Sequence, residues 1–136
     1  MRILKRIVIV VLILCSMLLL TKPVNANENP MTELVKIRCT CYHWTGNKCA
    51  YGGYPKEGLS VAGKPDWRNM ACAIYACDAE GSIGEFIGYF EITDTGGEYI
   101  TSGQRIDMYR ETLEGCEQWI AQYGDYVYFK IIESEG

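Results

Sequence analysis

Two aspartates, Asp94 and Asp107, are the residues of this chain whose type and setting suit chemistry. Residues 86–93, F-I-G-Y-F-E-I-T, are rich in aromatic and β-branched side chains and read as a strand that ends at Asp94. Thr95-Gly96-Gly97 follows as a turn where positive φ is easily reached. A second strand is expected over 105–109, with Ile106 and Met108 facing inward and Arg105, Asp107 and Tyr109 facing out. Two carboxylates thus stand at strand edges joined by a glycine-containing loop. A carboxyl group delivers a proton near neutral pH when burial or a neighbouring carboxylate raises its pKa, and two aspartates of unequal exposure meet that need in principle. The competing reading makes Asp94 a turn former and Asp107 a surface residue, since Asp is common in turns.

Other catalytic systems find little support. His43 is the single histidine, so a Ser-His-Asp or Cys-His arrangement would have to use it. A P-loop, a dinucleotide fingerprint and a zinc-protease motif are absent, and no cofactor is expected. Cys39-x-Cys41 beside His43 raises zinc as an alternative, but no cysteine pair has C-x-x-C spacing, and no metal is expected.

The elements that must position the aspartates follow an N-terminal leader. Arg2, Lys5 and Arg6 precede an apolar run over 7–20, and Val24-Asn25-Ala26 has the small-x-small pattern of a cleaved export signal. The run is shorter than the roughly 20 residues a membrane span needs. The expectation is a signal peptide over 1–26, a loose leader over 27–34 and one domain over 35–136, secreted and free of the membrane after cleavage. The whole chain carries a formal charge of −4; without 1–26 it keeps nine basic and seventeen acidic residues, a net −8. That surface excludes nucleic acid as a partner, because backbone binding needs clustered Lys and Arg. Six cysteines remain after cleavage, namely Cys39, Cys41, Cys49, Cys72, Cys77 and Cys116. An even number in a small exported domain suggests disulfides that support a limited core, with the pairing open.

Residues 35–42 alternate cleanly, with Val35, Ile37, Cys39 and Cys41 on one face, and read as a half-buried strand. The glycine-rich stretch 45–66 is long for a small domain and reads as a binding loop. Residues 70–76 read as a buried strand and 78–82 as a turn. Over 112–123 the period becomes helical, with Leu113, Cys116, Ile120 and Tyr123 on one face and Gly124 placed to end the helix. A closing strand over 126–133 completes the domain, in which Trp119 reads as core.

D-T-G-G at 94–97 followed by G-Q-R-I-D-M-Y at 103–109 resembles the signature of the 3D domain, named for three aspartates. The strand, helix, glycine and strand order of the flanking residues is similar to that family as well, and Val61-Ala62-Gly63 resembles its small-residue segment. The loop between Asp94 and Asp107 is longer than the family's. The family's first aspartate has no counterpart inside the strand at 70–76, which leaves Asp78 as the possible third aspartate. The resemblance implies a mainly β fold, a small six-stranded double-psi β-barrel with one short helix near the C-terminus. It implies cleavage of peptidoglycan glycan strands by lytic transglycosylation, in the manner of stationary-phase-survival wall hydrolases and the core of membrane-bound lytic transglycosylase A. By analogy Asp107 is the acid and then the base, closing a 1,6-anhydro ring, and Asp94 assists. Tyr42, Trp44, Trp67 and Tyr109, with the backbone at Gly96 and Gly97, are then candidates for contact with the glycan. The protein is expected to act as a monomer at the bacterial cell wall. The alternative is a wall- or glycan-binding barrel module without catalysis.

Overall fold

The computed structural model describes residues 33–133. The expected signal peptide over 1–26, most of the expected leader over 27–34 and the last three residues lie outside them. Apolar side chains recurring at every second position are what a strand can bury on one face, and the longer of the six strands use this. They are β1 (Val35–His43), β2 (Ser60–Ala62), β3 (Ala71–Cys77), β4 (Ile83–Asp94), β5 (Arg105–Arg110) and β6 (Tyr126–Ile132). The strands close into a barrel in the order β1-β5-β2-β4-β3-β6, so no edge is left unpaired. Closure relies on two parallel pairings, β1 with β5 and β2 with β4, while the other neighbours run antiparallel.

The barrel interior is filled from all sides by Ile37 and Cys39, Val61, Cys72 and Ile74, Phe90 and Ile92, Ile106 and Met108, and Val127, Phe129 and Ile131. Two helices complete the fold, against the one expected. The four-residue α1 (Glu98–Thr101) lies in the loop between the aspartates, and α2 (Leu113–Tyr123) packs against β1 and β5. Thr112 caps α2, its hydroxyl accepting from the Gly115 N–H at 2.9 Å, and Gly124 ends it at φ +72°. Cys116 and Trp119 are buried beneath α2, whereas Leu113, expected on the same face, is 57% exposed in the first turn.

Several expectations change. The stretch 45–66 is not one loop, because Ser60–Ala62 is a fully buried strand wedged between β4 and β5. Three residues are too short for any alternation to declare a strand. Trp67 ends a 3₁₀ turn (Pro65–Trp67), is 7% exposed and meets the Phe129 ring at 5.1 Å between centroids. It is therefore a core residue and not a platform for a ligand. The Thr95-Gly96-Gly97 segment uses no positive φ; Gly97 has φ −65° and precedes α1, and the left-handed residue of this loop is Gly103 at φ +80°. Gly96 is small for a different reason, since a Cβ there would meet Ile100 at 3.2 Å.

The six described cysteines are unbridged, so disulfide support is not part of this structure. Cys39 and Cys72 have 0% exposure and act as small apolar core side chains, and burial pushes both thiols up to about 12. No helix among the described residues is long and apolar enough to cross a membrane.

Candidate active site

Asp107 and Asp94 are brought together by the shortest strand. Ala62 of β2 is the register partner of Asp107 on one side and of Asp94 on the other. Residues directly opposite one another in a sheet share a face, so both carboxylates stand on Ala62's face, about 10 Å apart at the backbone from two strand spacings. Asp94 owes this to a bulge. Ile92 is fully buried in the core, and strict alternation would turn Asp94 inward with it. The β2–β4 register instead slips between Val61 and Ala62, passing over Thr93, and Asp94 emerges on the outer face. The Asp94 carboxylate oxygen Oδ1 accepts the backbone N–H groups of Ala50 at 2.8 Å and Thr95 at 2.9 Å, tying the glycine-rich loop to the end of β4.

Asp107 sits in the middle of a three-rung ladder on the outer face of β1 and β5. The pairs are Arg38 with Arg105, Thr40 with Asp107 and Tyr42 with Tyr109. Alternate residues of a strand are about 7 Å apart, so each rung is a step of that size along the barrel. The Thr40 hydroxyl donates to Asp107 Oδ1 at 2.8 Å. Burial holds the Asp107 carboxyl above the usual carboxylate range; the Thr40 hydrogen bond and the Arg105 guanidinium pull it down, and the Asp94 charge pushes it up. Burial thus biases Asp107 toward the protonated form relative to a free aspartate, the direction a general acid needs.

Tyr42 and Tyr109 form the next rung, their ring centroids 5.2 Å apart. Tyr109 points to the outer face as expected yet is only 2% exposed. Together with Trp44, Tyr54, Pro55, Glu111 and Thr112 it lines a pocket of about 400 Å³. The Tyr42 hydroxyl is buried and has no hydrogen-bond partner among the described residues. Burial, then the electrostatic influence of Asp94, Cys49 and Asp107, holds its phenol well above the ordinary value, so it remains an O–H donor. Trp44 is 43% exposed and leans on Tyr54 at 5.9 Å, an accessible aromatic pair at the mouth of the pocket.

The remaining expected residues do not join this group. Asp78 lies at the opposite end of β4, where its Oδ1 accepts the N–H groups of Glu80 at 3.0 Å and Ser82 at 2.8 Å. It is a turn-forming aspartate and no third carboxylate of the site. Gly96 and Gly97 are exposed at the start of α1, their carbonyls accepting from the Thr101 hydroxyl at 2.9 and 3.0 Å. Trp67 is withdrawn into the core. Thr40, Tyr54, Arg38 and Arg105 belong to the surroundings of the carboxylates but were not singled out from sequence. Thr40 and Arg38 do alternate outward in β1, yet only the β1–β5 register tells which of them meets Asp107. No group of three or more His, Cys, Asp or Glu side chains suited to a metal occurs among the described residues.

Compared with protein-family models, with curated proteins and with solved structures, the chain matches none.

Proposed function

We propose that this protein is an exported enzyme that cleaves the glycan strand of peptidoglycan by lytic transglycosylation on a double-psi barrel of the 3D kind. The observation that carries this reading is Asp107: a half-buried carboxyl raised by burial, held by Thr40 at 2.8 Å and facing Asp94 across Ala62. Glycosidic cleavage needs a proton on the leaving oxygen while positive charge builds on the sugar ring. Asp107 supplies that proton, breaking the bond between the anomeric carbon and the bridging oxygen. The resulting carboxylate takes the proton of the same sugar's 6-hydroxyl, whose oxygen bonds to the anomeric carbon and closes a 1,6-anhydro ring. The negative charge of Asp94 favours protonated Asp107 before the step and stabilises the positive ring during it. Trp44 and Tyr54 offer apolar faces on which a neighbouring sugar stacks.

The test is to incubate the purified protein with sacculi and weigh the soluble products. Anhydro-muropeptides are expected. Products with reducing ends would replace the internal hydroxyl by water, and binding without release would reduce the protein to a wall-binding module.

A further inference from the structure

At the other end of the ladder from the aromatic pocket lies a cleft of about 390 Å³ lined by Lys36, Arg38, Gln104, Arg105, Tyr99 and Tyr126, with Ile37 at its base. Three cations meet there, no acidic side chain lines the cleft, and none of the three has an ion-pair partner among the described residues. The chain as a whole is acidic, with seventeen Asp and Glu against thirteen Lys and Arg, so an unneutralised cationic cleft runs against its composition. Its walls are built for the charges they hold. The Lys36 ammonium lies over the Tyr126 ring at 5.3 Å and the Arg105 guanidinium over the Tyr99 ring at 5.8 Å. Arg105 Nε is buried with no hydrogen-bond partner, one of six such side-chain atoms among the described residues and the one that belongs to this cleft.

We infer that this cleft binds a carboxylate of an acidic peptide carried by the glycan, with Arg38 and Arg105 as its paired donors and Lys36 at its rim. The inference rests on the glycan-cleaving reading of Asp107 and says which part of the substrate lies beside it. Arg38 and Arg105 are register partners, so two planar guanidinium groups flank one spot, the arrangement that suits a carboxylate. That spot is one rung, about 7 Å, from Asp107 along the strands. A group held there belongs to the sugar whose bond is at Asp107 or to a short branch on it. Sugar stacking at Trp44 and Tyr54 on one side and carboxylate capture on the other would fix a branched strand across Asp107 in one direction.

The experiment titrates the full chain with alanyl-glutamate, with its neutral analogue alanyl-glutamine amide and with inorganic phosphate, following backbone amide signals by NMR. Saturable shifts at 36–38 and 104–106 are expected with alanyl-glutamate alone, and they should vanish in the double variant Arg38→Gln/Lys36→Gln. In parallel, Arg38→Gln should lower kcat/KM on peptide-bearing sacculi about tenfold, the effect of losing roughly 1.4 kcal/mol of binding, through KM. The same variant should lose distinctly less on peptide-free glycan strands, which offer the cleft no carboxylate. Phosphate-driven shifts without peptide-driven ones, survival of the shifts in the double variant, or an equal loss on both substrates would each overturn the assignment. Because the titration needs no turnover, peptide binding in a protein that cleaves nothing would sink the catalytic reading and leave the cleft standing.

Discussion

At the scale of single residues, Asp107 is the group on which the proposed activity turns, and its environment dictates opposite consequences for two neighbours. Asp107→Asn removes the proton donor and is expected to lower turnover about 10²–10⁴-fold while glycan binding persists. The same change should raise the melting temperature at neutral pH. Burial lifts the folded-state pKa of Asp107 above its unfolded value, so stability is fully present below the unfolded pKa and falls as pH rises through the folded one. Asparagine escapes that loss, and the gap between variant and wild type should close on acidification below about pH 4, the unfolded value. Thr40→Val deletes the 2.8 Å hydrogen bond that lowers the Asp107 pKa, so the basic limb of the activity profile should move up, with Thr40→Ser restoring it. Asp94→Asn removes the charge that raises Asp107, and the same limb should move down. Its amide oxygen can still accept the Ala50 and Thr95 N–H groups, so the loop tie survives. Limbs that move together in both variants would show that neither side chain acts through Asp107.

Elements decide which aromatic residues serve the core and which face solvent. Trp67→Ala would empty a site beside Phe129 and Ile92 and is expected to cost about 3–5 kcal/mol, readable in urea unfolding. Trp44→Ala should leave that unfolding curve nearly in place and weaken binding to wall fragments. A second element-level consequence concerns β1 and α2. Cys41 on β1 is pushed up by burial and then by the Cys116 thiol lying against it from α2. Cys41 and Cys116 are thus neighbours across β1 and α2. Exposed to a small disulfide oxidant, each thiol gives up one proton and one electron, the oxidant is reduced to two thiols, and β1 becomes stapled to α2. The closed loop spans most of the domain and is expected to add about 2–4 kcal/mol. Peptide mapping after oxidation should find Cys41 joined to Cys116, and Cys39 and Cys72, buried and pushed up to about 12, should stay unlabelled by alkylating reagents in the folded protein.

For the whole molecule, the closed barrel provides a continuous surface strip rather than a deep pocket. Along β1 and β5 the strip runs from Lys36, Arg38 and Arg105 through Thr40 and Asp107 to Tyr42, Tyr109 and the Trp44–Tyr54 pair. Charge, acid and aromatic surface are thus in a line whose steps are set by the strand repeat. Acidic residues outnumber basic ones over the rest of the chain, so the proposed association with an anionic wall would depend on contacts along this strip and should weaken as the cationic end is neutralised.

Local chemistry alone determined much of this. Alternation in 35–42 and 126–133, the helical period from 112, the Gly124 stop and the turn at Asp78 are each legible in a few adjacent residues, because side-chain period and turn preference are local properties. The pair Asp94 and Asp107 was legible as well, from the ends of two readable strands. Only the tertiary structure decided what surrounds them. The Thr40–Asp107 hydrogen bond joins residues 67 positions apart. The bulge at Thr93 that turns Asp94 outward exists only relative to the register of β2. β2 itself has three residues and no period to read, and it becomes a strand because β4 and β5 leave a gap that closure of the barrel must fill. Trp67 reads from sequence as a candidate glycan contact, because its burial depends on Phe129, across the barrel interior. The cationic cleft depends on Arg38 meeting Arg105, a choice of register between strands far apart in the chain. Register is set by which faces the closed barrel can bury together, and that is a property of all six strands at once.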